Sequence, residues 1–293
     1  MAILIDTPVW PAHGTVFAHL VSDTSLAELH AFAAAADVPE RAFDEDHYDV
    51  PERRHAELVA LGARSVDGRT LARALIASGL RVPARERAKA LAGPLAGRWE
   101  RLLPGHAELR RELVERWSEP HRRYHTPAHL LAVLTALEKI ADGGTAPRAV
   151  VLAAWFHDAV YAGAAGRDEE DSAQLAEARL EAAGLGWGEV AEVARLVRLT
   201  AGHSPAPDDG AGQLLCDADL AVLGRDPAGY RRYAAQVREE YAHVPDELFR
   251  AGRARVLEHL LALDPLFHTA PARGLWLERA HANLRAELAE LRA

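Results

Sequence analysis

The sequence predicts a small α/β unit at the N-terminus followed by an all-α domain, and three observations carry that expectation. Over the first eighty residues, short apolar runs such as Ile3-Leu-Ile5 alternate with amphipathic helical stretches. From residue 102 onward one helical pattern follows another, with no convincing strand between them. The 293 residues, 49% hydrophobic and 26% charged, have the composition of a soluble globular protein and enough length for one large or two ordinary domains.

In the N-terminal unit, residues 1–82, Ile3 to Ile5 reads as a strand and residues 25–36 as a helix capped by Thr24 or Ser25. Residues 53–61 form a second helix, 63–66 a second strand, and 70–78 a helix closed by Gly79, which reaches positive φ without a Cβ penalty. Residues 83–101, with an Arg-Glu-Arg run, an Ala-rich stretch and Gly93-Pro94, read as a linker with room for a short helix. In the domain 102–293, a helix over 110–117 stops before Pro120. The next, over 127–141, has Thr126 as N-cap, Pro127 in its first position and Gly143-Gly144 beyond its end. Residues 148–161 are nearly apolar all round, which predicts a central helix. Further helices are expected over 170–182, 187–201, 213–222, 227–242, 246–263 and 274–291.

The net charge of -9 argues against a broad nucleic-acid footprint and leaves small anionic ligands as better partners. Lys89 and Lys139 are the only lysines among 34 cationic residues, a coding bias that makes Arg-richness weak functional evidence. The single Cys216 excludes an intrachain disulfide and a multi-cysteine zinc site, and reads as a small buried apolar residue. The opening Met1-Ala-Ile-Leu-Ile-Asp6 has no basic n-region, and no stretch has the ~18 apolar residues of a membrane span. A cytoplasmic, unanchored protein is expected, and nothing in the sequence excludes a homo-oligomer.

The chemistry concentrates in four places. His157-Asp158 interrupts the apolar run 150–161, where an imidazole and a carboxylate need pairing, hydrogen bonds or a metal. Upstream stand His125 and His129 in Arg123-Tyr-His-Thr-Pro-Ala-His129. Downstream stand His203 and the pair Asp217 and Asp219 in Asp-Ala-Asp-Leu220. Helices of a bundle can project such residues into one core site. A mixed imidazole and carboxylate set of His129, His157, Asp158 and Asp219 suits Mn²⁺, Fe²⁺, Co²⁺ or Zn²⁺, with Mg²⁺ a further candidate, better than Ca²⁺.

The combination of Arg-x-Tyr-His-x-x-x-His, Trp-Phe-His-Asp-Ala-Val-Tyr, the Glu-x-x-Ser-Ala of Glu169 to Ala173, and Asp-Ala-Asp-Leu resembles the HD superfamily of metal-dependent phosphohydrolases, over roughly residues 102–293. The resemblance implies an HD-type all-α domain with metal ligands His129, His157, Asp158 and Asp219, Asp217 being the alternative to Asp219. It implies hydrolysis of a phosphoester in a small molecule, a nucleotide foremost, by metal-activated water. His125 matches the position of a proton donor to the leaving oxygen, and Asp158 belongs to the catalytic centre. Relatives with two or three metals carry extra histidines between the central pair and the last aspartate, where this chain has only His203. One tightly held ion is therefore expected, with His203 contacting substrate or a ligand. Arg123, Glu169 and Arg238 are further substrate-binding candidates, and Arg122 and Arg253 are additional cations for a phosphate.

Plainer readings compete. Asp217 or Asp219 would serve as a helix N-cap, His203 as a partner of a helix dipole, and Glu169 and Ser172 as an ordinary helix start. Tyr230, Tyr233, Arg238 and Tyr241 would form a packing stripe. A regulatory module that binds a phosphorylated ligand without turnover is the alternative function, and a di-iron oxygenase is disfavoured by the shortage of histidines. In the N-terminal unit, Ile-Asp-Thr-Pro-x-Trp and His-Tyr-Asp-Val-Pro resemble an uncharacterised bacterial domain family, which implies no activity. There Asp6, Trp10, His13, His19, Asp23, His47 and Asp49 are expected at strand ends and loops, as structural residues ahead of a second metal or nucleic-acid site.

Overall fold

The computed structural model describes residues 2–82, 88–164 and 166–292. The chain divides into a compact unit over residues 1–87 and a second over 88–293. The first is a small mixed sheet with helices and the second is helical, the two-part layout predicted from the sequence.

The sheet unit contains β1 (Ile3–Asp6), β2 (Trp10–Ala12), β3 (Thr15–Ser22), α1 (Leu26–Ala35), β4 (Phe43–Asp44), β5 (His47–Pro51), α2 (His55–Ala60), β6 (Arg64–Val66) and α3 (Gly68–Ala77). Its strand order is β4-β5-β3-β1-β6, with β2 paired to β3. Only the β1–β6 pair is parallel. All four residues of β1 are buried, as befits a central strand covered on both faces. Ser25 caps α1 by accepting the Glu28 N–H, and Asp67 caps α3 by accepting those of Arg69 and Thr70. Leu20, Leu29, Leu58 and Leu75 fill the core.

Strands β3 and β5 run through segments expected to be loops, so His19, His47 and Asp49 lie within the sheet. The β2–β3 connection is a two-residue turn, His13-Gly14, with both φ positive, at 48° and 76°. Asn-Gly is the usual signal for such a turn, and a histidine in its first position hides it.

The helical unit begins earlier than the sequence suggested. Residues 83–87 lie outside the described residues, but 88–101 of the expected linker belong to α4 (Ala88–Leu102) despite Pro94. The reason is burial at helical spacing. Leu91, Leu95 and Trp99 point into the core, where Trp99 meets Trp155 edge-on at 4.8 Å between ring centroids. There follow α5 (Ala107–Trp117), α6 (Pro127–Ile140), α7 (Arg148–Phe156), α8 (Arg167–Ala182), α9 (Trp187–Leu199) and α10 (Gly210–Asp219). After these come α11 (Pro227–Glu240), α12 (Asp246–Ala262), α13 (Ala270–Ala272) and α14 (Glu278–Arg292). A π-helical turn, Arg273–Leu277, joins the last two.

Helix α7 is central as predicted, packing against α4, α6, α8, α9 and α10. It ends at Phe156, not at 161, so His157-Asp158 marks the end of a buried helix and not its interior. No helix among the described residues is long and apolar enough to cross a membrane.

Because Leu95 is 1% exposed inside this core, Leu95→Ala should lower the unfolding free energy by about 2–5 kcal/mol, as large-to-small core changes do. A linker residue at that position would shift it by less than about 0.5 kcal/mol. Urea unfolding midpoints of the full chain decide between the two.

Candidate metal centre

Four chain segments deliver the site. Thr126, with extended backbone (φ -116°, ψ 175°), is the N-cap residue of α6, and Pro127 starts the helix, which sets His129 in the first turn. The Thr126 hydroxyl makes no bond to the helix N-terminus, so Pro127 and the backbone geometry set the start. At the end of α7 the His157 N–H donates to the Ala153 carbonyl. The His157 ring donates Nδ1–H to the Ala154 carbonyl at 2.9 Å. That bond leaves Nε2 as the ring's lone-pair donor, directed into the centre. Asp158 follows outside the helix, and Asp219 is the last residue of α10. His203, after α9, sits in the left-handed region at φ 49°, where few non-glycine residues rest.

The donor atoms converge. His129 Nε2 and His157 Nε2 are 3.3 Å apart. Asp219 Oδ1 is 3.0 Å from the first and 3.5 Å from the second. Asp158 Oδ2 is 3.2 Å from His157 Nε2 and 3.8 Å from His129 Nε2. Ligands about 2.1 Å from a shared ion stand about 3.0–3.4 Å apart in tetrahedral or octahedral arrangements, so His129, His157 and Asp219 fit one divalent transition ion, with Asp158 beside His157 at the edge of the group. The carboxylates of Asp158 and Asp219 would balance the charge of such an ion. The histidines close the inner side, with side chains 3% and 1% exposed, while Asp158 and Asp219 are 16% and 14% exposed and open the outer side.

His203 Nε2 lies 2.8 Å from Asp219 Oδ2, so it contacts a candidate ligand, one of the two roles expected for it. His125 stands apart from the donor set, its Nε2 3.9 Å from Asp158 Oδ2. Its Nδ1 donates to Glu240 Oε1 at 2.5 Å, and the other Glu240 oxygen accepts the N–H groups of Arg123, Tyr124 and His125. The Tyr161 ring stacks on His125 at 4.2 Å, and Tyr124 packs against His129 at 4.7 Å.

Several sequence candidates are placed elsewhere. Asp217, the alternative ligand, is fully buried and accepts the N–H groups of His268 and Thr269 at 2.7 Å each, which uses both its oxygens to anchor the chain before α13. Glu169 accepts the Gly166 N–H at the start of α8, the ordinary helix-start reading. In the same motif Ser172 bonds both the N–H and the carbonyl of Val160, and Asp168 holds Ala162 and Ala164. These bonds clamp the loop after Asp158. Arg123 donates to the carbonyls of Pro120 and Arg122. Arg238 ties Asp246, the Tyr241 and Val244 carbonyls and the face of Phe249. Neither arginine reaches the centre through these bonds, because each secures the turn beside it. Arg122 is buried and donates to the carbonyls of His125, Asp158 and Ala159, and Arg253 is spent on Glu287 and Tyr233.

Glu240 is the residue that sequence reasoning missed. Its signal was a carboxylate on the buried face of the stripe, three positions after Val237 and seven after Tyr233. Burial and the paired charges set the electrostatics. Burial alone would lower the His157 pKa, but Asp158 and Asp219 raise it well above the ordinary value. Burial dominates at His129 and lowers its pKa. Asp158 and Asp219 are both held well below the carboxylate range against burial, chiefly by the positive charge of His157. His125 is raised by Asp158 and Glu240 despite burial.

Residues 3–78 match the model of a family described as a protein of unknown function, DUF4031. That match covers the sheet unit and not this centre. No curated protein and no solved structure matches the chain.

Burial opposes ionisation of Glu240, but the His125 bond and three N–H groups outweigh it and depress its pKa from 4.5 to about 2. A depressed acid stabilises the fold above its unfolded pKa, a contribution of about 3 kcal/mol that disappears as pH falls through 4.5 toward 2. Glu240→Gln should therefore lose about 2–3 kcal/mol at neutral pH and show a shallower acid limb between those values. Denaturant unfolding across that pH range measures both.

Proposed function

We propose that the helical unit is a metal-dependent phosphohydrolase of the HD type, acting on a phosphoester bond of a small molecule, with nucleotides the first substrate class to test. The supporting observation is the convergence of His129, His157 and Asp219, from segments up to ninety positions apart, with donor atoms 3.0–3.5 Å from one another, and of Asp158, whose Oδ2 lies 3.2 Å from His157 Nε2 and 3.8 Å from His129 Nε2. Two imidazole nitrogens face each other at 3.3 Å, with one ring's Nδ1 proton committed to a carbonyl, and a metal ion between them would take the place of the Nε2 proton that the two carboxylates otherwise favour on His157. A bound divalent ion supplies Lewis acidity toward a phosphoryl oxygen and lowers the pKa of water.

The protein's own groups do the rest. Glu240 accepts the Nδ1 proton of His125, which orients the ring and leaves Nε2–H as the group able to protonate a leaving oxygen. Tyr161, stacked on that ring, keeps it from rotating. His203 holds Asp219 through one carboxylate oxygen and leaves the other facing the two histidines. The arginines expected to grip phosphate are engaged in holding the loops. Positive charge at the mouth would then come from the ion and from the His125 imidazole, whose pKa is raised by Asp158 and Glu240.

Full-length protein supplied with Mn²⁺ should turn over members of a phosphomonoester and phosphodiester panel. Asp158→Ala should lose that turnover and one metal equivalent. His125→Ala should keep its metal while kcat falls about 10²- to 10⁴-fold. Binding across the panel without turnover would favour a regulatory module, and full metal occupancy in Asp158→Ala would sink the assignment. Elemental analysis beside steady-state kinetics separates these outcomes.

A further inference from the structure

The sheet unit carries a second cluster that the proposed activity does not use. Strand register puts it together. On β5, His47 and Asp49 are two residues apart and share a face of the sheet, and His19 on β3 is the direct cross-strand partner of Asp49. Ile5 of β1 pairs with Leu20, so Asp6 comes next to His19 on that same face. The two motifs singled out in the sequence, Ile-Asp-Thr-Pro-x-Trp and His-Tyr-Asp-Val-Pro, thus meet across three strands.

The hydrogen bonds give each ring a direction. His19 Nδ1 lies 3.0 Å from Asp6 Oδ2, and His47 Nδ1 lies 2.6 Å from Asp46 Oδ1. Asp6 and Asp46 are 2% and 0% exposed, and both are fixed from the backbone: Asp6 accepts the His19 N–H and Asp46 accepts the Val82 N–H. A carboxylate that accepts Nδ1–H fixes the ring tautomer and leaves Nε2 as a more basic lone-pair donor, the arrangement behind histidine ligands of metal ions. Both Nε2 atoms turn to Asp49 Oδ1, at 3.8 Å from His19 and 3.3 Å from His47. One donor atom from each of His19, His47 and Asp49 lies within 4.8 Å of the others.

The geometry points to a second metal site in the sheet unit, in which His19 Nε2, His47 Nε2 and an Asp49 oxygen bind a divalent transition ion of the Zn²⁺ or Co²⁺ type, oriented from behind by Asp6 and Asp46. Two nitrogens and one carboxylate suit such an ion and leave a coordination position for water or a small ligand. That position is reachable. The Asp49 side chain is 45% exposed, and Trp10, 52% exposed, packs on His19 at 5.1 Å between ring centroids. An ion held by three protein groups with an open side has the form of a reactive or ligand-capturing site, not of a closed structural one.

The test uses the full chain, stripped of metal, reloaded with Co²⁺ and read by elemental analysis and visible d–d absorption. Asp49→Ala and His19→Ala should each remove one equivalent per chain, whatever the helical centre holds. Asp6→Asn should weaken that equivalent about 10- to 100-fold. Asp158→Ala, which empties the helical centre, should leave it in place, so this site and the proposed phosphohydrolase fail independently. Far-UV circular dichroism establishes that each variant is folded. Unchanged Co²⁺ content in folded Asp49→Ala and His19→Ala would overturn the proposal and leave the cluster as a network of imidazole–carboxylate hydrogen bonds.

Discussion

The helical unit depends on how the end of α7 is satisfied. A helix leaves its last carbonyls without intrahelical partners, and an end inside the core cannot turn to water for them. Here each carbonyl from Ala153 to Phe156 has a partner. The His157 N–H serves Ala153, the His157 ring serves Ala154, Trp117 Nε1 serves Trp155 at 3.0 Å, and the Ala159 N–H serves Phe156. Beyond the helix the same accounting continues. Arg122 serves Asp158 and Ala159, Ser172 serves Val160, and His121 serves Tyr161. The partners come from α5, the loop after it, and α8, so packing those elements and building the centre are one event.

This constraint explains why stability and site chemistry are hard to separate here. The ring that satisfies Ala154 is the ring that presents Nε2 to the centre, so backbone satisfaction alone holds its Nδ1 proton in place. Arg122, buried against Trp117 and Tyr161, acts through the same bonds. Its charge is neutralised by Glu119 at 3.0 Å and spent on carbonyls, which is why an arginine so close to the centre is unavailable to a phosphate. Glu240 repeats the device on the other side: one carboxylate gathers three consecutive backbone N–H groups and the His125 ring, fixing the loop and orienting the imidazole together.

Much of this was legible in the sequence, for a physical reason. A histidine and an aspartate in an apolar run cost too much to be incidental, and Pro127 after Thr126 fixed where His129 falls on its helix. What escaped was whatever depends on tertiary partners. Nothing local distinguishes Arg122, which is buried, from Arg123, which reaches the surface, or Asp217, which anchors a distant loop, from Asp219 two residues on. Residues 88–101 read as linker because Gly93-Pro94 is a strong breaker signal, and burial of Leu91, Leu95 and Trp99 overrides it. Strands β3 and β5 were missed because histidines and aspartates interrupt their apolar alternation, and those interruptions are the residues that cluster.

The two clusters solve one problem with different means. In each, an imidazole is held at Nδ1 so that Nε2 meets a carboxylate, but the anchor is a helix-end carbonyl at His157 and buried aspartates at His19 and His47. A neutral carbonyl fixes orientation with little effect on basicity, whereas an ionised carboxylate also draws the Nδ1 proton and strengthens the ring as a donor. The sheet cluster therefore needs fewer ligands to hold an ion and can leave more of its coordination sphere open. The helical centre is more deeply buried and has Asp158 as a further candidate ligand, and under the proposed activity its acid, His125, stands outside the donor set, where a proton would move without disturbing an ion.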